Sequence, residues 1–189
     1  MTDERFNQAM VEILKVEGGY ANDPEDPGGE TIGGIARRYN PQWKGWAKID
    51  KIKAAGKTPS VSDVERELYE HYRIMYWDPV RCSDLQDDAV TLAVFDTSVN
   101  LGTQRAATFL QEALNLLNRN GSSWPEILED GRIGAVTLAT LQRCLRERHG
   151  SEDIVLVIHT LRGMHYINRV RQKSSQEKYL RGWLRRVNK

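Results

Sequence analysis

Apolar residues recur at helical spacing from the start of the chain. Phe6, Ala9, Met10, Ile13, Leu14 and Val16 fall on one face, which predicts an amphipathic helix from residue 3 to about residue 17. Thr2 is its expected N-cap and Gly18-Gly19 its stop. Residues 36–59 have no clean period and mix Pro, Gly, Lys and two Trp, so an irregular lobe is expected there. Ser62-Asp63-Val64-Glu65 has the form of a capping box, which predicts a helix from Asp63 with Val64, Leu68, Tyr72 and Met75 as its stripe and Pro79 as its end. Residues 87–99 are the most hydrophobic stretch and predict a central buried helix. Within it Asp96 needs hydrogen bonds or a cleft, because a carboxylate is costly to bury alone. Thr103 is expected to cap a further helix through about Asn118, with Phe109, Leu110, Ala113, Leu114 and Leu117 inward and Asn120-Gly121 as its break. Residues 152–171 read as a long helix, and a short hairpin near Thr31 to Ile35 is the one strand signal. The fold expected is mainly α with a small irregular or hairpin lobe.

The chain has 189 residues, enough for a full core. It is 40% apolar and 28% charged, as soluble globular proteins are. A net charge of +1 argues neither for nor against nucleic acid, and nucleic acid is not among the expected partners. Charge is uneven, however. From Arg162 to the end nine basic residues face one acid, Glu177, which is either a solvated face or a surface that attracts an anionic envelope. Cys82 and Cys144 lack metal-ligand spacing and read as free, partly buried thiols. His159 and His165 are six apart, not the four that puts two ligands on one helical face, so no metal is expected. The acidic start MTDERFNQ has no signal-peptide character and no run is long enough to span a membrane. Synthesis in the cytoplasm is therefore expected, and a monomer.

One stretch has a composition suited to chemistry rather than packing: EGGYANDPEDPGGETIGGI, residues 17–35. Glu17 ends the first helix near its free carbonyls, where repulsion favours the protonated carboxyl that a general acid needs. Asp26 follows nine residues later and Thr31 five after that. A glutamate, an aspartate and a threonine in this order suit glycoside hydrolysis, with Glu17 protonating the leaving oxygen and Asp26 and Thr31 holding water on the other face. Asp23 is a second candidate for the carboxylate, and spacing does not choose between the two. Asp23-Pro24 and Asp26-Pro27 are also turn formers, a role compatible with positioning both carboxylates.

That stretch resembles the N-terminal signature of family 108 of the glycoside hydrolases, the N-acetylmuramidases of phage endolysins and related bacterial proteins. The resemblance places the catalytic glutamate on Glu17 and a substrate-contact role on Tyr20 of the Glu-Gly-Gly-Tyr motif. The order Glu17, Asp26, Thr31 is also similar to phage-type lysozymes, which carry one more residue between Asp and Thr. Ile32-Gly33 stands where many members have an aromatic residue. The Tyr-Arg then Tyr-Trp pattern of HYRIMYWDPV is similar to the family as well, and makes Trp77 a candidate subsite wall, with core packing as the other reading. FDTSVNLG resembles its Asp-x-x-x-Asn-x-Gly element, so Asn100 either lines the sugar site or caps the helix in the left-handed conformation. DGRIGAVTLATLQ resembles helical peptidoglycan-binding modules, and the final YLRGWLRRV the family's usual end, with Trp183 as a plug against the core.

The resemblance implies a lysozyme-like helical fold with its small lobe beside a cleft. Residues 1–90 would be the muramidase region, and residues 91–189 a peptidoglycan-binding-like region packed on it as one unit. The activity implied is hydrolysis of the β-1,4 bond between N-acetylmuramic acid and N-acetylglucosamine, without a cofactor, on peptidoglycan glycan strands reached through holin-type or other release. A non-catalytic wall-binding or secretion-associated module is the alternative.

Overall fold

The first apolar stripe forms helix α1, Glu4–Glu17, in the computed structural model, which describes residues 4–22 and 29–187 and, at Val16 and Glu17, the backbone alone. The Thr2 cap lies outside the described residues. Phe6, Ala9, Met10 and Ile13 are buried along one face of α1, as the 3.6-residue period requires. Backbone contacts divide the chain into two units, Met1–Met75 and Tyr76–Lys189.

The first unit holds a small antiparallel sheet of β1 (Tyr20–Ala21), β2 (Thr31–Ile32) and β3 (Ile35–Ala36). The segment expected to be irregular contains helix α2, Gly45–Ala54, with Trp46 and Ile49 buried. Its period is hard to read because those two side chains are its only buried apolar ones among four charged residues. Trp46 packs edge-on against the half-buried Trp43 and donates from Nε1 to the Asn40 carbonyl at 2.7 Å. The capping box sits two residues earlier than expected. Asp63 accepts from the Ser60 N–H at 2.8 Å and from its hydroxyl at 2.7 Å, starting a 3-10 turn, Val61–Val64, before helix α3, Glu65–Tyr72. After Tyr72 the chain widens into a π turn, Arg73–Trp77. The extra residue per turn rotates the expected stripe. Met75 points outward, 48% exposed, while Trp77 is fully buried.

In the second unit Asp87 caps helix α4, Asp88–Leu101, by accepting from the Val90 N–H at 2.9 Å. Helix α4 buries Val90, Ala93, Val94 and Phe95 and is the central helix expected. It ends at Gly102, which adopts a positive φ of 88°. Helix α5, Thr103–Leu116, follows directly, with Thr103 as its first residue rather than its cap. The Asp-Gly turn ahead of α6 (Ala135–Leu145) is fixed by Gln111 of α5, a fully enclosed side chain. Its amide donates to Asp130 at 2.8 Å and to the Arg132 carbonyl at 3.0 Å, and its oxygen accepts from the Gly131 N–H at 2.9 Å. A Cβ at Gly131, which has a φ of 72°, would run into Gln104.

Helix α7, Gly150–Gln172, buries Ile154, Ile158, Arg162 and Tyr166 at four-residue spacing. Helix α8, Glu177–Val187, follows a 3-10 turn. Asp96 joins three helices. Its carboxylate pairs with Arg162 of α7 at 2.6 Å and with Arg186 of α8 at 3.1 Å. Trp183 is half-buried and stacks on Tyr166 at 5.3 Å, less enclosed than a plug. Cys82 and Cys144 are free and buried, and burial pushes the Cys144 thiol up to about 11. The architecture is mainly α with a small antiparallel lobe, the lysozyme-like class expected.

Candidate active site

Helix α1 ends where the glycines demand. Gly18 adopts a φ of 81°, a left-handed conformation open to glycine at little cost, and Glu17 is the last helical residue. The chain then enters β1, which pairs with β2 in the register Tyr20↔Ile32 and Ala21↔Thr31. The Gly33 N–H also donates to the Gly19 carbonyl at 3.2 Å. These bonds tie the two ends of the acidic loop side by side, a few residues from the end of α1. Gly33 and Gly34, both at positive φ, turn β2 into β3. A side chain at Gly33 would collide with Leu68, and its carbonyl accepts from the buried Tyr72 hydroxyl at 2.9 Å. Asp23 and Asp26 lie outside the described residues, as does the side chain of Glu17.

The base of the loop is anchored by Glu30, whose side chain is only 8% exposed. One oxygen accepts from the Tyr20 hydroxyl at 2.8 Å and from Lys53 Nζ at 2.7 Å. The other faces Arg37 Nε at 2.9 Å. Arg37 also reaches Asp50 at 2.7 Å and lies over the Trp46 ring at 4.5 Å, and its N–H donates to the Glu30 carbonyl at 2.8 Å. Helix α2 thus supplies Lys53, Asp50 and Trp46 to a clamp on the residue next to Thr31. Burial would raise the Glu30 carboxyl, but the hydrogen bonds from Lys53 and Tyr20 and the two cations outweigh it and hold it below its ordinary 4.5.

Because that value is lowered by folding, the stabilisation is complete above the ordinary value and is lost as pH falls through the lowered one. The melting temperature, followed from about pH 6 down to about pH 3, is expected to fall on the acid side, and Glu30→Gln is expected to flatten that fall. An acid limb of the same slope in both proteins would contradict the clamp.

The other expected site residues fall out as follows. The Thr31 hydroxyl donates to the Gly29 carbonyl at 3.1 Å, which leaves its oxygen lone pairs as acceptors. The Tyr20 ring is half-buried and its hydroxyl is committed to Glu30. Its observed contact is therefore with the loop base, and any sugar contact is left to the ring. Trp77 is 0% exposed, donates to Ser83 at 2.9 Å and packs edge-on against Phe95 at 5.1 Å. A ring with no accessible face is core, and the subsite-wall reading of Trp77 is replaced by the packing one. Asn100 lies inside α4, half-buried, and donates to the Asp96 carbonyl at 2.6 Å and its carboxylate at 3.1 Å. The left-handed cap expected of Asn100 is taken by Gly102 instead. Glu17 and Thr31 belong to the first unit, Asn100 and Trp77 to the second.

Residues 10–102 match the family described as Glycosyl hydrolase 108. They belong to glycosyl hydrolase family 108. Residues 105–188 match the family described as Predicted Peptidoglycan domain. The glycosyl hydrolase 108 region therefore runs through α4, past the division between the units. The solved structure of SagA from Brucella abortus is similar over 99% of this chain and 91% of its own, at 25% identity and a TM-score of 0.62. No curated protein matches the sequence. The two family matches make this protein a glycoside hydrolase that degrades peptidoglycan.

Within the glycosyl hydrolase 108 region, Glu30, Arg37 and Lys53 were not legible as a unit. Glu30 was one acid among several in the loop, and nothing distinguishes Lys53 among the lysines of a basic segment. Among the described residues no group of three or more His, Cys, Asp or Glu is placed to hold a metal ion, and no helix is long and apolar enough to cross a membrane.

Proposed function

We propose that the protein is an endo-acting N-acetylmuramidase, cutting the β-1,4 bond between N-acetylmuramic acid and N-acetylglucosamine. Glu17 is the general acid that gives its proton to the leaving glycosidic oxygen. Asp26, with Asp23 as the other candidate, acts on the opposite face of the sugar, and water supplies the group that replaces the leaving saccharide. The Thr31 hydroxyl, donating to Gly29, has lone pairs free to accept from that water.

The observation that carries this reading is the tie at the mouth of the loop. With Ala21 opposite Thr31 and Gly19 bonded to Gly33, the two described ends of the segment whose sequence carries Asp23 and Asp26 meet a few residues from the end of α1. Catalytic groups act by proximity, and a loop closed at its base favours it. The family match over residues 10–102 supports the same reading. Action as an endolysin, with release across the inner membrane by a holin-type or other route, belongs to the proposal too.

Mass spectrometry of digested sacculi tests the bond and the reaction together. The expected products carry reducing N-acetylmuramic acid. Reducing N-acetylglucosamine would move the cut to the other bond, an anhydro sugar would replace water with internal attack, and no released saccharide would leave only a wall-binding module.

A further inference from the structure

Helix α8 reads EKYLRGWLRRV. On a helical projection Tyr179, Leu180, Trp183, Leu184 and Val187 fall on one arc and Lys178, Arg181 and Arg185 on the opposite one. A helix so divided ordinarily buries its apolar arc, and this one does not: none of its residues is buried. Leu180, Trp183 and Val187 are half-buried. Tyr179 is 49% exposed and Leu184 37%. The helix rests on α7 through the Trp183–Tyr166 stack and is tied to α4 through Arg186 and Asp96.

Seated this way, α8 leaves Lys178, Arg181 and Arg185 exposed, and Arg171 and Lys173, ahead of it in the chain, are exposed as well. Neither Arg181 nor Arg185 has an acidic partner among the described residues. The single acid after Arg162 leaves the local charge strongly positive.

We propose that α8 is a docking strip for an anionic phospholipid surface. The cations alone would suit any polyanion. What favours a lipid interface is the apolar rim beside them, because Tyr179 and Leu184 fit a surface that has an apolar layer just beneath its charges. Each cation near such a surface strengthens binding roughly fivefold, and salt screens the effect.

The test is sedimentation of the full-length protein with vesicles of phosphatidylglycerol and phosphatidylcholine, or of phosphatidylcholine alone. Binding is expected only to the anionic vesicles, falling as salt rises. Removing two cations in R181S/R185S is expected to weaken it roughly thirtyfold. Removing the apolar rim in Y179S/L184S is expected to weaken it about tenfold, while leaving binding to polyglutamate unchanged. Failure to bind anionic vesicles, or equal binding by R181S/R185S, overturns the proposal. Wild-type vesicle binding by Y179S/L184S overturns it in favour of a general polyanion site. Vesicle binding is read with no sacculi present and does not depend on glycan cleavage. The outcome is therefore separable from that of the muramidase reading.

Discussion

Glu17→Gln is expected to lower the rate of saccharide release from sacculi by about 10²–10⁴-fold, the usual contribution of a positioned general acid. The amide keeps the shape of the side chain but has no proton of suitable acidity to give. Glu17 is the last residue of α1, and the left-handed Gly18 fixes where that helix stops. The substitution leaves both features intact. It removes a negative charge from the carbonyl end of a helix, where such a charge costs about 0.3–1 kcal/mol when ionised. Stability should therefore be unchanged or slightly raised. Turbidity clearance and reducing-end release, measured beside a melting curve, check both halves of the expectation. Near-wild-type clearance would reject Glu17 as the acid, and a collapsed melting temperature would make it a structural residue.

The largest loss of stability is expected from Asp96→Ala, about 3–5 kcal/mol. Arg162 is 1% exposed, and Asp96 is its one ion-pair partner among the described residues, at 2.6 Å. Without that carboxylate a guanidinium remains enclosed with no countercharge, which costs far more than losing an exposed pair. The same change removes the Asp96–Arg186 contact that ties α4 to α8. For a chain of this size the melting temperature should drop by roughly 10 °C. The double variant Asp96→Ala/Arg162→Leu is expected to recover most of that loss, because it removes the stranded charge as well as its partner. A melting temperature close to wild type in the single variant, or no recovery in the double, would show that the network carries little of the fold's stability.

The elements easiest to foresee were those governed by near neighbours. Helix α1 and its stop follow from an apolar period that runs into two glycines. Helix α4 follows from an apolar run, and α6 from a stretch that resembles peptidoglycan-binding modules, although Gln111 of α5 holds the turn before it. Helix α2 escaped notice because its buried pair, Trp46 and Ile49, is too sparse for a period to stand out among lysines. Trp77 had two readings, subsite wall and core, and local spacing did not choose between them. The π turn adds a residue to the count, so a position that regular helical spacing would turn outward is swung into the core.

By itself the sequence determined the helical class, the family-type motif with Glu17 at a helix terminus, and the basic character of the last helix, because each depends on residue order over one or two turns. The tertiary structure alone decided which counterions meet. Glu30 is held by residues up to 23 positions away and Asp96 by a guanidinium 90 positions away. Periodicity reports which side of an element faces inward, but not which charge waits on the other side. That choice belongs to the packing of whole elements.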